Sequence, residues 1–170
     1  MSPPVASEFW TQLGSTFNAR RGTDVTTPRE NEHIAEQADE TRTPPAPMVV
    51  KWLDTAAKHD YPAAASYLAL IAGPATVRAL VAGLKASPVT HYKAKDILRA
   101  SGLPLLPRDN VHVAKDLARI RAGQTLSPCL MIRGNARKWH LAQIADGYHR
   151  VCASYYTDED TDIPVKIVKL

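Results

Sequence analysis

A largely apolar run over residues 141–145 stops at Asp146-Gly147, and the residues after it change period, with Val151, Cys152 and Tyr155 sharing one face of a helix. The spacing predicts a strand, a tight turn and a helix. Such a turn aims the unpaired N–H groups of a helix's first turn at whatever sits above the strand end, which makes it an anion site. His149 and Arg150 add side-chain donors at the same place, and an arginine can grip a phosphate with two parallel hydrogen bonds. Asp146 needs its own account, because a carboxylate beside an anion site repels a bare phosphate. Three readings of it stay open: a metal ligand, a base for a hydroxyl, or a helix cap.

The 170 residues suffice for one core with a modest appendage. With 45% hydrophobic and 22% charged residues the composition is that of a soluble globular protein and offers no argument for disorder of the chain as a whole. Cys129 and Cys152 sit in apolar surroundings without metal-ligand spacing and read as core thiols of a reducing compartment, with a pairing of the two as the alternative. The most apolar window, 62–84, contains Arg78 and a Gly73-Pro74 break, so no membrane span is expected. No basic region followed by an apolar run opens the chain, and the cytoplasm is the expected location. Residues 1–48 carry four Arg against seven Asp or Glu, and the remainder carries seventeen Lys or Arg against ten acids, so a tail of −3 precedes a body of +7. A basic body attracts polyanions, nucleotide and nucleic acid alike, although proteins that bind neither also carry a surplus of that size.

Six of the thirteen prolines fall in 1–48, which otherwise holds few large apolar residues and a polar run at 26–43. This reads as a mostly disordered tail. Phe9, Trp10, Leu13 and Phe17 mark a short amphipathic helix over 8–17, either folded back on its own domain or engaging a protein partner. A helical extension is expected over 49–86: one helix at 51–59, a second from near Pro62 to Ile71 capped by Asp60, and a third through Val77, Leu80, Val81 and Leu84. A strand follows at 89–92, then a short helix stopped by Gly102. Asp109 or Asn110 caps the next helix, 111–121, whose buried stripe is Val113, Leu117 and Ile120. Residues 126–132 form a strand too apolar for an edge, and a polar hairpin leads from it to the run at 141–145.

Asp-Gly-Tyr-His-Arg at 146–150, the short helix after it and Ile163-Pro164-Val165-Lys166-Ile167-Val168 resemble the closing half of the ParB/sulfiredoxin superfamily. There a Gly-x-His-Arg or Gly-x-Arg-Arg turn opens a helix and an Ile/Val-Pro-Val strand follows. The order and spacing of the upstream elements agree, so the resemblance covers about 87–170. It implies an α+β fold, a small sheet packed with helices, here preceded by the helical extension and the tail. The corresponding sulfiredoxin helix reads Lys-Val-x-Ser-Leu-x-x-Thr-Ile, with its Lys, Ser and Thr on nucleotide phosphates. Laid on this chain those positions are His112, Lys115 and Arg119, none identical but all able to donate.

The departures sharpen the reading. Sulfiredoxin has its nucleophilic Cys immediately before His-Arg, where this chain has Tyr148, and Cys152 lies four residues too late, so sulfiredoxin activity is not expected. Segregation proteins of the ParB type add a helix-turn-helix module, which does not follow the last strand here. The superfamily's free-serine kinases carry Asp-Gly-His-His-Arg, close to 146–150, and use an upstream Glu as base. The comparable acids here, Asp96 and Asp109, match no motif.

The resemblance therefore implies a nucleotide-binding protein. Gly147, Tyr148, His149 and Arg150 would hold the phosphates of a nucleoside triphosphate, ATP or CTP, with His112, Lys115 and Arg119 helping. Phosphoryl transfer or hydrolysis would run through Asp146 and His149, with Mg²⁺ held by Asp146 and the phosphates. The alternative is a non-catalytic module that binds DNA or protein. A ParB-like nuclease stands third, for want of clustered carboxylates to hold paired metals.

Overall fold

The computed structural model describes residues 48–169. The tail expected over 1–48, with its stretch at 8–17, lies outside the described residues apart from Met48. In chain order the elements are β1 (Lys51–Trp52), α1 (Asp60–Leu68), α2 (Pro74–Ala86), β2 (Val89–Lys93), α3 (Ala94–Ser101), α4 (Val111–Arg121), β3 (Thr125–Leu126), β4 (Cys129–Arg133), β5 (Gln143–Asp146), α5 (Tyr148–Thr157) and β6 (Asp162–Lys169). The fold is mixed α+β, as expected.

Four strands form one sheet in the order β2-β6-β4-β5, and β1 and β3 form a separate parallel pair. β4 is central because it is apolar on both faces, buried from Cys129 to Ile132. It runs parallel to β6 and antiparallel to β5, while β6 runs antiparallel to β2. Pro164 stands inside β6 opposite His91, but the pairing of β6 with β4 begins only at Val165, opposite Cys129. The missing N–H of the proline therefore falls where one side of the strand has no ladder to supply.

Alternation along β4 divides the core in two. Leu130 and Ile132, with Ala145, pack against Ala64, Leu68, Val77, Leu80 and Leu84 of α1 and α2. Cys129 and Met131 face the other way, into a cluster built from Ile97, Leu98, Val113, Leu117, Ile120, Val151 and Cys152 of α3, α4 and α5. The sheet is thus covered on both faces, and α2 lies close enough to β6 that a Cβ on Gly83 would stand 3.2 Å from Val168. Lys166 is buried beside this layer and its Nζ donates to the Ser87 carbonyl at 2.6 Å.

Local chemistry sets the helix ends. Gly73 in extended backbone precedes Pro74, which supplies the first position of α2 with no N–H to lose. Asn110 caps α4 by accepting from the N–H groups of His112 and Val113 at 3.1 and 3.3 Å. Gly102, at φ +66°, ends α3.

The first expected helix, at 51–59, is not formed. Val50 and Trp52 pack on the larger core, and Leu53 N donates to Leu126 O at 2.8 Å. An isolated helix of nine residues is marginal, so a short ladder with packed side chains outcompetes it.

Leu84→Ala and Leu130→Ala, one on each side of the contact between α2 and the sheet, should each lower stability by about 2–5 kcal/mol. Val111→Ala, on the exposed side of α4, should change it by less than about 0.5 kcal/mol. Urea denaturation midpoints check both. Small losses at Leu84 and Leu130 would show that residues 60–86 do not share the core.

Candidate functional site

β5 ends at Asp146, opposite Leu130, and the chain turns through Gly147 into α5. Gly147 has φ +104°, which an L side chain rarely adopts, and no side chain caps the helix. Space requires the glycine as well: a Cβ there would stand 2.6 Å from Cys129 Sγ and 2.9 Å from an Arg150 nitrogen. The strand, turn and helix expected from the sequence are all present. The N–H groups of Tyr148, His149 and Arg150 precede the first intrahelical bond, from Val151 N to Gly147 O at 3.0 Å.

Asp146 does not cap the helix. Its carboxylate accepts from Arg150 Nη2, one turn on, while Arg150 Nη1 reaches Asp60 Oδ1 at 3.2 Å. Asp60 is buried at the start of α1 and also accepts from Ser127 Oγ and, at 3.0 Å, from Ala57 N. Ala57 N donates to Ser127 Oγ as well, at 2.9 Å. The Arg150 side chain is 11% exposed and lies between the two carboxylates. Asp96 and Asp109, the acids comparable in position to the upstream Glu of the free-serine kinases, stand apart from this group. Asp96 instead pairs with Arg99 on α3 at 2.7 Å, and Asp109 lies exposed in the loop before α4. Asp60 and Ser127 were missed because no local pattern ties residue 60 to residue 150; only its role as a helix-start acid was visible.

Burial pushes the Asp60 carboxyl up, but Ser127, Arg150 and the Ala57 N–H together bring it below its ordinary value. For Asp146 burial wins, aided by the Asp60 charge, so its carboxyl is raised despite Arg150. Burial works against the charge of the guanidinium, but its neighbours Cys129, Asp146 and Asp60 together raise its pKa and hold it firmly protonated. Burial pushes the Cys129 thiol up to about 11, so this thiol is inert at neutral pH. Cys152 is likewise buried, in the core face of α5.

His149 is half-buried, with its ring centroid 4.6 Å from that of His112 in the first turn of α4. Burial, reinforced by His112, holds the His149 imidazolium below its ordinary pKa. Tyr148 stands 5.8 Å from His149 by ring centroids and donates its hydroxyl to the Pro104 carbonyl, which ties α5 to the segment before α4. Lys115 is exposed one turn beyond His112 on α4. Arg119 is engaged elsewhere, with Asp116 at 3.4 Å and with the Thr125 carbonyl at 2.8 Å.

The residues expected to hold phosphate therefore sort into two groups. His112, His149 and the open first turn of α5 lie together on one side, whereas Arg150 and Asp146 are spent on each other and on Asp60. Asp60 and Asp146 come together, but the guanidinium occupies the place between them that a cation would take. As they stand, these residues do not fit a Mg²⁺ site.

Arg150→Met should cost about 3–5 kcal/mol in urea denaturation, because it strands the buried carboxylate of Asp60 and the partly buried one of Asp146, and Arg150→Lys should not restore the loss, since one ammonium cannot fork between them. The two acids should differ. With its carboxyl lowered, Asp60 contributes stability above pH 3.8 that is lost as pH falls through its folded value. With its carboxyl raised, Asp146 opposes folding at neutral pH, and stability recovers as pH falls through its folded value toward 3.8. Asp60→Asn should therefore lower the melting temperature at pH 7 more than Asp146→Asn does, and a reversed order would refute this account.

Compared with family models, curated proteins and solved structures, the chain has no match.

Proposed function

We propose that the protein binds a phosphate-bearing ligand, a nucleotide, at the first turn of α5, and that residues 87–170 are a ParB/sulfiredoxin-like domain. The observation that carries this reading is the apposition of His112 and His149 at 4.6 Å, brought together from two helices beside first-turn N–H groups that no side chain caps. Two imidazoles side by side repel one another when charged, and an anion between or above them removes that repulsion. The order of elements, with the sheet's closing strand after the Asp-Gly turn, supports the domain assignment.

In this reading the turn N–H groups and the imidazoles of His149 and His112 contact phosphate, and Lys115 adds charge from the next turn of α4. Arg150 positions the turn and leaves the phosphate to its neighbours. The role is binding and not phosphoryl transfer, since the carboxylate of Asp146 is held by a guanidinium one turn away.

No helix among the described residues is long and apolar enough to cross a membrane.

The test is thermal shift with ATP, CTP and inorganic pyrophosphate. A ligand at a hundred times its Kd adds about 2.7 kcal/mol of stability, a clear rise in melting temperature. His112→Ala and His149→Ala should each fold and each lose most of the rise. Affinity should strengthen as pH falls through the lowered His149 value, because the anion favours the protonated ring, and should level off below it. A rise retained in both variants, or no rise with any of the three at millimolar concentration, would sink this reading.

A further inference from the structure

The opposite end of β4 holds a feature that the turn at Gly147 does not use. Between α3 and the hairpin of residues 134–142 lies a groove of about 440 Å³, floored by Ile97, Ala100, Met131, Leu141 and Ile167. That size falls within the range of small-molecule sites, and the lining is mostly apolar with a few polar groups at its edge, the ordinary composition of such a site.

The hairpin that forms its lip is built and held. Asn135 N donates to His140 O at 2.8 Å, His140 N returns a bond to Asn135 O at 3.0 Å, and Ala142 N donates to the Ala100 carbonyl of α3 at 3.0 Å. The Asn135 side chain caps the short 3-10 turn Ala136–Lys138 by accepting from the N–H groups of Arg137 and Lys138. Gly134 admits the close return of the chain, since a Cβ there would stand 2.6 Å from His140 O. This arrangement places Trp139 at φ +56°, the one positive φ of a residue other than glycine among the described residues, and leaves its side chain at the mouth of the groove, 92% exposed. A bulky residue in that conformation costs about 1–3 kcal/mol, and burial of the indole does not repay it.

The charge at the mouth has one sign. Residues 133–140 contain Arg133, Arg137 and Lys138 and no acid. Among the described residues none of the three forms an ion pair, and the one carboxylate lining the groove, that of Asp96, is taken by Arg99 at 2.7 Å. Arg133 lines the groove and is steadied by the Tyr92 hydroxyl, which accepts from its Nη2 at 3.4 Å.

We propose that this groove is a binding site for an amphipathic organic anion, whose apolar body lies on Met131, Ile97 and Ile167 beneath Trp139 and whose carboxylate meets Arg133. The site is independent of the one at α5: Leu130 of β4 pairs with Asp146, while Arg133 lies at the strand's other end.

The test uses the full chain and isothermal titration calorimetry with four probes: 2-naphthoate, decanoate and their uncharged amides. One anion should bind saturably at one per chain, and which of the two binds more tightly distinguishes an aromatic from an aliphatic body. Arg133→Gln should weaken the anion about tenfold or more while leaving the amide unchanged. Ala100→Phe, at an exposed position of α3 that lines the groove, should abolish binding of acid and amide alike, with melting curves showing that both variants fold. Equal affinity of wild type for acid and amide would overturn the anionic head. Unchanged affinity in Ala100→Phe, or no saturable binding of either acid at millimolar concentration, would overturn the site.

Discussion

A buried guanidinium shared by two carboxylates is the interaction on which the rest of this structure depends. Arg150 comes from the first turn of α5, Asp146 from the end of β5 and Asp60 from the start of α1, so one ion group joins elements on both faces of the sheet. Taking three charges out of water is costly, and the geometry offsets that cost only while all three are present and Ser127 and Ala57 satisfy the remaining oxygen of Asp60. Its contribution lies in fixing where α1 meets the turn, while the apolar clusters on either side of β4 supply most of the burial.

This explains what the sequence disclosed and what it hid. Period-2 and period-3.6 patterns located β4, β5, α2, α4 and α5, and the turn at Gly147 was legible because Asp-Gly between two periods has few other meanings. The stretch at 51–59 departs from the expected helix because the backbone partner of Leu53 that decides the matter, Leu126, is more than seventy residues away. The candidate site divided in the same way. His112 and His149 were both singled out, and they meet. The commitment of Arg150 to Asp60 could not be read, because a buried ion pair between distant residues leaves no local pattern, and that commitment leaves both ends of the guanidinium fork bonded to carboxylates.

The two proposed sites lie at opposite ends of one strand and use opposite chemistry. At the β5–α5 turn the donors are backbone N–H groups and imidazoles, suited to a compact, strongly hydrated anion. At the other end a hydrophobic floor beneath one guanidinium suits an anion with a large apolar body. The rigid central strand between them, buried through four successive residues, keeps the ends at a fixed separation.

The sheet order also governs how such a chain can assemble. β6 is the last strand in sequence, yet it lies between β2 and β4, which do not pair with each other. Neither β2 nor β4 meets its β6 partner until the segment Asp162–Lys169 is in place, and closing the β2–β6 ladder joins residues 69 to 77 positions apart. Pairings of that separation are slow to find. During synthesis the apolar strand β4 therefore emerges before the partner that covers its open edge, and in that interval the chain is most exposed to mispairing.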